Sequence, residues 1–185
     1  VIARRPMALA AALLLALAGC SDQSQPTLSA PPTQQDLLSV LGGTLNLNGV
    51  LQFSGMPDLS GTRTASKRIL ASQGGFVELN GFRVDIPAGA LPADTTVTIT
   101  LPSDNVLGKR LIAEFAPHGV QFSTPVTLTF PLTGVLWSGS PIEVARWENG
   151  AWTSLGGSVN LLGTELTGQT PHFSTYGGKY ILAGG

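Results

Sequence analysis

One thiol, two imidazoles and a pair of indoles are the side chains whose types and spacing bear on chemistry in this chain of 185 residues. Cys20 is its only cysteine, so no internal disulfide can form and stability must come from ordinary core burial. With His118 and His172 as the only histidines, no clustered metal-ligand pattern forms, and there is neither a phosphate-binding loop nor a nucleophile elbow. No cofactor or metal is expected. His118, between Pro117 and Gly119, reads as a turn residue, and Asp85 and Glu114 read as isolated, solvent-facing carboxylates on alternating stretches. Trp147 and Trp152 flank Asn149-Gly150. Aromatics flanking a hairpin form either a platform for sugar rings or a cross-strand pair worth about 0.5–1.5 kcal/mol beyond its burial.

The surroundings of Cys20 point to lipid chemistry. The basic pair Arg4-Arg5, the apolar run Met7 to Ala16 and then Leu17-Ala18-Gly19-Cys20 resemble a bacterial lipobox. The resemblance implies that residues 1–19 are a removable signal and that Cys20 carries diacylglycerol and an acyl chain such as palmitate. The protein would then be a lipoprotein of the cell envelope, with membrane lipid as its first partner. The apolar run is too short for a permanent span, because a hydrocarbon core of roughly 30 Å takes about 20 helical residues. Two acyl chains already suffice for stable anchoring. Ser21 follows the cysteine, which by the sorting rule of enteric lipoproteins resembles an outer-membrane address and favours that membrane over the inner one. The first residue, Val1, suggests an alternative start codon or an incomplete N-terminus, since a start at Met7 discards both arginines.

Charged residues make up only 11% of the chain, and the loss of Arg4 and Arg5 with the signal moves the net charge from −1 to −3. That balance excludes nucleic acid as a partner. Arg63, Lys67 and Arg68 read as a solvated linker, with lipid headgroups or a polyanion as the alternative. Abundant glycine and short alternating Thr and Val stretches favour an all-β domain with many turns.

Residues 20–35 are rich in Ser, Gln, Pro and Thr and read as a flexible tether reaching roughly 20 Å. Residues 36–72 read as a short helix or irregular linker: Asp36 caps Leu37 to Leu41, Gly42-Gly43 stops the turn, and Ser54 to Ser72 is a second loose linker. Leu45 to Phe53, apolar but irregular, either docks on the main domain or faces the membrane. From Gly75 onward apolar and polar residues alternate. Val77 and Leu79 lead to Asn80-Gly81, and Phe82, Val84 and Ile86 lead away, the pattern of a tight hairpin. Val97, Ile99 and Leu101 oppose Thr96, Thr98 and Thr100, predicting one dry face and one wet face; Val126, Leu128, Phe130 and Leu132 repeat the arrangement. Ile142 to Leu155 forms a third unit around Asn149-Gly150, and strands at this spacing predict an antiparallel β-sandwich over residues 73–185.

Three stretches carry a more specific likeness. Gly74-Gly75-Phe76-Val77-Glu78-Leu79, Val84-Asp85-Ile86-Pro87-Ala88-Gly89-Ala90-Leu91 and Ala116-Pro117-His118-Gly119-Val120-Gln121-Phe122-Ser123-Thr124-Pro125-Val126-Thr127-Leu128 together resemble the ZU-five domain of zonula occludens proteins, netrin receptors and ankyrins. The residues also have plain roles: Pro87 cannot donate to a ladder, and Gly89 permits a turn that a Cβ would resist. The resemblance implies a non-enzymatic protein-interaction or scaffolding module, here with envelope proteins as partners. A glycan-binding module using Trp147 and Trp152 is an alternative.

His172-Phe173-Ser174 resembles the triplet that is a self-cleavage site in some relatives of this fold, among apoptosis scaffolds and inflammasome proteins, and in an unrelated nucleoporin. Carried over, the Ser174 hydroxyl attacks the Phe173 carbonyl to give an ester by an N-to-O shift. His172 helps the proton transfers, water completes the hydrolysis, and peptide strain supplies part of the drive. The simpler reading is that residues 172–176 form the last strand, with Phe173 inward and its polar neighbours outward.

Overall fold

The computed structural model describes residues 49–54, 63–102 and 109–181; the stretches expected to be a signal, a lipidated Cys20, a tether and a short helix from Asp36 lie outside them. The described residues are all-β. In chain order the strands are β1 (Thr64–Ile69), β2 (Gly75–Leu79), β3 (Phe82–Ile86), β4 (Thr95–Thr100), β5 (Ile112–Ala116) and β6 (Gln121–Pro131), then β7 (Ile142–Glu148), β8 (Ala151–Gly156), β9 (Ser158–Val159), β10 (Glu165–His172) and β11 (Thr175–Tyr180). Two antiparallel sheets result, ordered β1-β4-β5-β11-β7-β8 and β2-β3-β6-β10-β9. They pack face to face as a β-sandwich.

The alternation explains the interior. Val77, Leu79, Val84, Ile86, Leu128, Phe130 and Leu166 line the second sheet, and Val97, Ile99, Phe115, Val144 and Tyr176 face them from the first. Phe115 and Phe130 meet edge-on across the sheets with ring centres 6.3 Å apart. Both Asn-Gly pairs form the predicted tight hairpins: Asn80 and Gly81 have φ of 51° and 84°, Asn149 and Gly150 of 52° and 79°. Gly168 on β10 brings the layers close, since a Cβ there would lie 2.8 Å from the Val144 side chain of the opposite sheet.

Two expectations need correction, and a third point that the sequence left open is decided. Thr64–Ile69, read as linker, is the edge strand β1, paired to β4 from Thr64↔Thr100 to Ile69↔Thr95. Its charged middle hid it: Lys67 and Arg68 are exposed, as suits a sheet edge that must not recruit another strand. The basic cluster is accordingly part of the folded body. Arg63 donates to the Pro102 carbonyl at 2.6 Å, Arg68 pairs with Asp94 at 3.2 Å, and the Lys67 ammonium lies 4.8 Å from the Phe76 ring centre. Second, the face of β4 expected to be wet is buried at Thr98 and Thr100. Third, residues 50–53, whose role the sequence left open, dock: the Leu51 amide donates to Gly178, the Leu111 amide donates to Leu51, both at 2.9 Å, and the Leu51 side chain joins the core.

Candidate functional site

The predicted cleavage triplet sits where the chain changes sheet. β10 ends at His172 in the second sheet and β11 begins at Thr175 in the first, so Phe173 and Ser174 belong to neither strand. The continuous last strand is therefore corrected to a crossing. Pro171 has no N–H for the ladder, the pairing with β6 shifts register between Thr170 and His172, and the released backbone turns the corner. Phe173 points inward as expected, 2% exposed, with Phe122 edge-on at 4.7 Å. Thr175 and Tyr176, the first residues of β11, are buried as well.

Around the crossing, the hydrogen-bond donors settle which ring nitrogen of His172 carries a proton. Arg146 Nη1 lies 2.7 Å from His172 Nε2, and a guanidinium can only donate, so Nε2 accepts. The proton then resides on Nδ1, which donates to the Phe173 carbonyl at 3.1 Å. The ring thus polarises the carbonyl that cleavage would attack. It does not address the Ser174 hydroxyl, which donates to the Trp147 carbonyl at 3.4 Å, a group that cannot take up a proton as a base. Neither Phe173 nor Ser174 has a positive φ, so the left-handed strain that self-cleavage could draw on is not seen at the bond. Arg146 is held in turn by Glu148.

Tyr176 fastens the corner. Its hydroxyl donates to the His172 carbonyl at 2.5 Å and contacts Thr170 Oγ1 at 2.8 Å. Burial pushes the Tyr176 hydroxyl up to about 12. The neutral form is the one the fold favours, so this stability is complete below the unfolded value near 10 and is lost as pH rises toward 12. Tyr176→Phe is expected to cost about 1–2 kcal/mol at neutral pH, because the His172 carbonyl and the Thr170 hydroxyl each lose one partner and keep only their mutual bond at 3.0 Å. Urea unfolding of both proteins at pH 7 to 12 checks this: the variant should lose stability less steeply above pH 10, and equal slopes would show that Tyr176 is not the titrating group.

Trp147 and Trp152 stand directly opposite on β7 and β8, ring centres 5.3 Å apart and planes at 60°. Trp147 is buried, while Trp152 is half-buried and reaches toward Gly177, where a Cβ would lie 3.2 Å from its Cη2. This is the geometry of an edge-on cross-strand pair; a sugar platform needs two open ring faces.

Glu114 differs from expectation. It is buried, with Oε1 3.2 Å from His118 Nε2 and Oε2 without a partner. Thr100 and Thr175 stand opposite it on β4 and β11, and their hydroxyls are unpartnered as well. His118 occupies the expected turn, after a cis Ala116–Pro117 bond and before Gly119 at φ 84°. Asp85 remains at the surface, accepting two bonds from Arg83 at 2.8 and 2.5 Å. Among the described residues no group of three or more His, Cys, Asp or Glu side chains is placed to hold a metal ion.

The residues that the sequence did not single out are Arg146, Tyr176 and Glu114 as a buried group. Arg146 left a readable trace, since it shares the inward phase of β7 with Ile142 and Val144, where a cation requires a partner. Compared with known proteins, the chain matches no protein-family model and no curated protein.

Proposed function

We propose that this chain is a lipid-anchored protein of the cell envelope whose ZU-five-like β-sandwich binds protein partners and has no catalytic task of its own. The observation that carries the reading is Leu17-Ala18-Gly19-Cys20 following an apolar run and a basic pair. Diacylglycerol and an acyl chain on Cys20 hold the protein to the outer membrane, and the tether lets the sandwich reach its partner. Support for a binding role comes from the crossing, where the imidazole, the hydroxyl and the guanidinium each hold a neighbouring carbonyl or side chain in place. An interaction module needs such a rigid frame, and the sequence-distant bonds of Arg146 to His172 and of Ser174 to Trp147 contribute to it.

Radiolabelled palmitate supplied to producing cells is expected on the wild type and to vanish from Cys20→Ser. An unlabelled wild type with its leader uncut overturns the anchoring. Intact-mass measurement of wild type and Ser174→Ala is expected to show one uncut species each. A wild-type fragment beginning at Ser174, absent from the variant, would replace the non-enzymatic reading with self-processing. In-cell cross-linking identifies the partner.

A further inference from the structure

We infer that the turn carrying Leu161 and Leu162 is a membrane-contacting tip that inserts both leucine side chains into the bilayer; its orientation rests on the lipid anchoring proposed above. Most large apolar side chains of the fold are covered, but Leu161 and Leu162 are 106% and 83% exposed. No other turn among the described residues carries a large apolar side chain at its tip.

The turn is built to hold them out. Asn160 Oδ1 accepts from the amides of Thr164 and Glu165 at 2.9 and 3.3 Å, and its Nδ2 donates to Thr164 Oγ1 at 2.9 Å. The Gly163 amide returns to the Asn160 carbonyl at 3.0 Å with Gly163 at φ 69°. The Thr164 carbonyl accepts from Leu132, tying the turn to the body. A convex apolar pair on a stiff base suits a fluid acyl phase, which conforms to it, better than a protein surface, which must offer a matching cavity.

The same end of the sandwich continues the apolar character. Trp137 packs beside Gly163, where a Cβ would lie 3.5 Å from its ring. Leu136, half exposed, is held by the Tyr180 hydroxyl at 2.9 Å, and Ile181, also half exposed, follows directly. Tryptophan and tyrosine at the base of an apolar tip suit the headgroup level. The chain also joins the body here: the Tyr180 amide donates to the Gly49 carbonyl at 2.9 Å, and the residues before Gly49 lead back to Cys20. Anchorage at Cys20 therefore draws this end toward the bilayer, while the Asn149-Gly150 turn lies at the opposite end of β7. A net charge of −3 after loss of the signal leaves apolar burial as the driving term, so neutral lipid should serve.

The test uses the intact acylated protein in phosphatidylcholine vesicles. Cys20 is acylated and is the only cysteine, so Leu162→Cys supplies a single thiol for an environment-sensitive dye, and Ala151→Cys beside the opposite turn supplies the reference. Nitroxide on the acyl chains is expected to quench the dye at 162 several-fold more than at 151, and Leu161→Asp added to the 162 variant should abolish the difference. Equal quenching on protein that carries its acyl chains overturns the tip and leaves the anchoring intact. Should Cys20 carry no lipid, its thiol is replaced by serine and the labelled chain is mixed with the vesicles: selective quenching at 162 upholds the tip, and its absence refutes it. Dye self-quenching at 162 that rises with protein concentration in the absence of vesicles would assign the leucines to a second copy of the chain and overturn the membrane assignment.

Discussion

Phe173→Ala is expected to lower the unfolding free energy by about 3–5 kcal/mol, the usual cost of emptying a buried phenylalanine site. The ring is 2% exposed and touches Phe122 edge-on at 4.7 Å, so the loss combines transfer, cavity and an aromatic pair. The site can collapse only poorly. Phe173 sits between two strands of different sheets, and its backbone is held on both sides, the carbonyl by His172 at 3.1 Å and the next carbonyl, of Ser174, by the Phe115 amide at 3.0 Å. Each kcal/mol moves the midpoint by about 2–4 °C in a chain of this size, which predicts a drop of roughly 6–20 °C. Circular dichroism melts of wild type, Phe173→Ala and Phe173→Leu check it, with leucine recovering a substantial part. A drop below about 2 °C would mean that the corner does not depend on this side chain.

Gly74→Ala is expected to be of similar size through a different cause. Gly74 adopts φ +67° in the turn that carries the chain from β1 in one sheet to β2 in the other. A Cβ there would lie 2.3 Å from the Ile86 carbonyl oxygen, 2.6 Å from the Ala88 nitrogen and 2.7 Å from the Pro87 carbonyl carbon, all backbone atoms with no rotamer to yield. Left-handed strain and overpacking add to about 3–5 kcal/mol. Gly89→Ala is the internal control, because Gly89 has φ +78° but nothing within 4 Å of a Cβ; it should cost only about 1–2 kcal/mol. Denaturant unfolding of the two variants separates the terms. Equal losses would show that the close approach of residues 86–88 to Gly74 has no energetic weight.

The layered all-β architecture was legible because a strand exposes its pattern locally. Val77, Leu79, Val84 and Ile86 alternate around Asn80-Gly81, and their burial follows from period two alone. β1 was not legible, since an edge strand is one-sided and its Lys67 and Arg68 look like linker residues. The burial of Thr98, Thr100 and Glu114 was hidden for a related reason. Period two tells which residues share a face, but covering that face is a matter of what packs on it.

From the amino-acid order alone come the two Asn-Gly hairpins and the inward set of the long strands, properties of neighbours in the chain, together with the expectation of a lipid address at Cys20. Tertiary structure decided the rest. It turned His172-Phe173-Ser174 from a strand into a corner between sheets, placed Arg146 on the His172 ring, closed Trp147 against Trp152 and left Leu161 and Leu162 facing outward. Each of these depends on which distant strand lies alongside, and strand order is set by packing the whole core at once, which no local window of residues encodes.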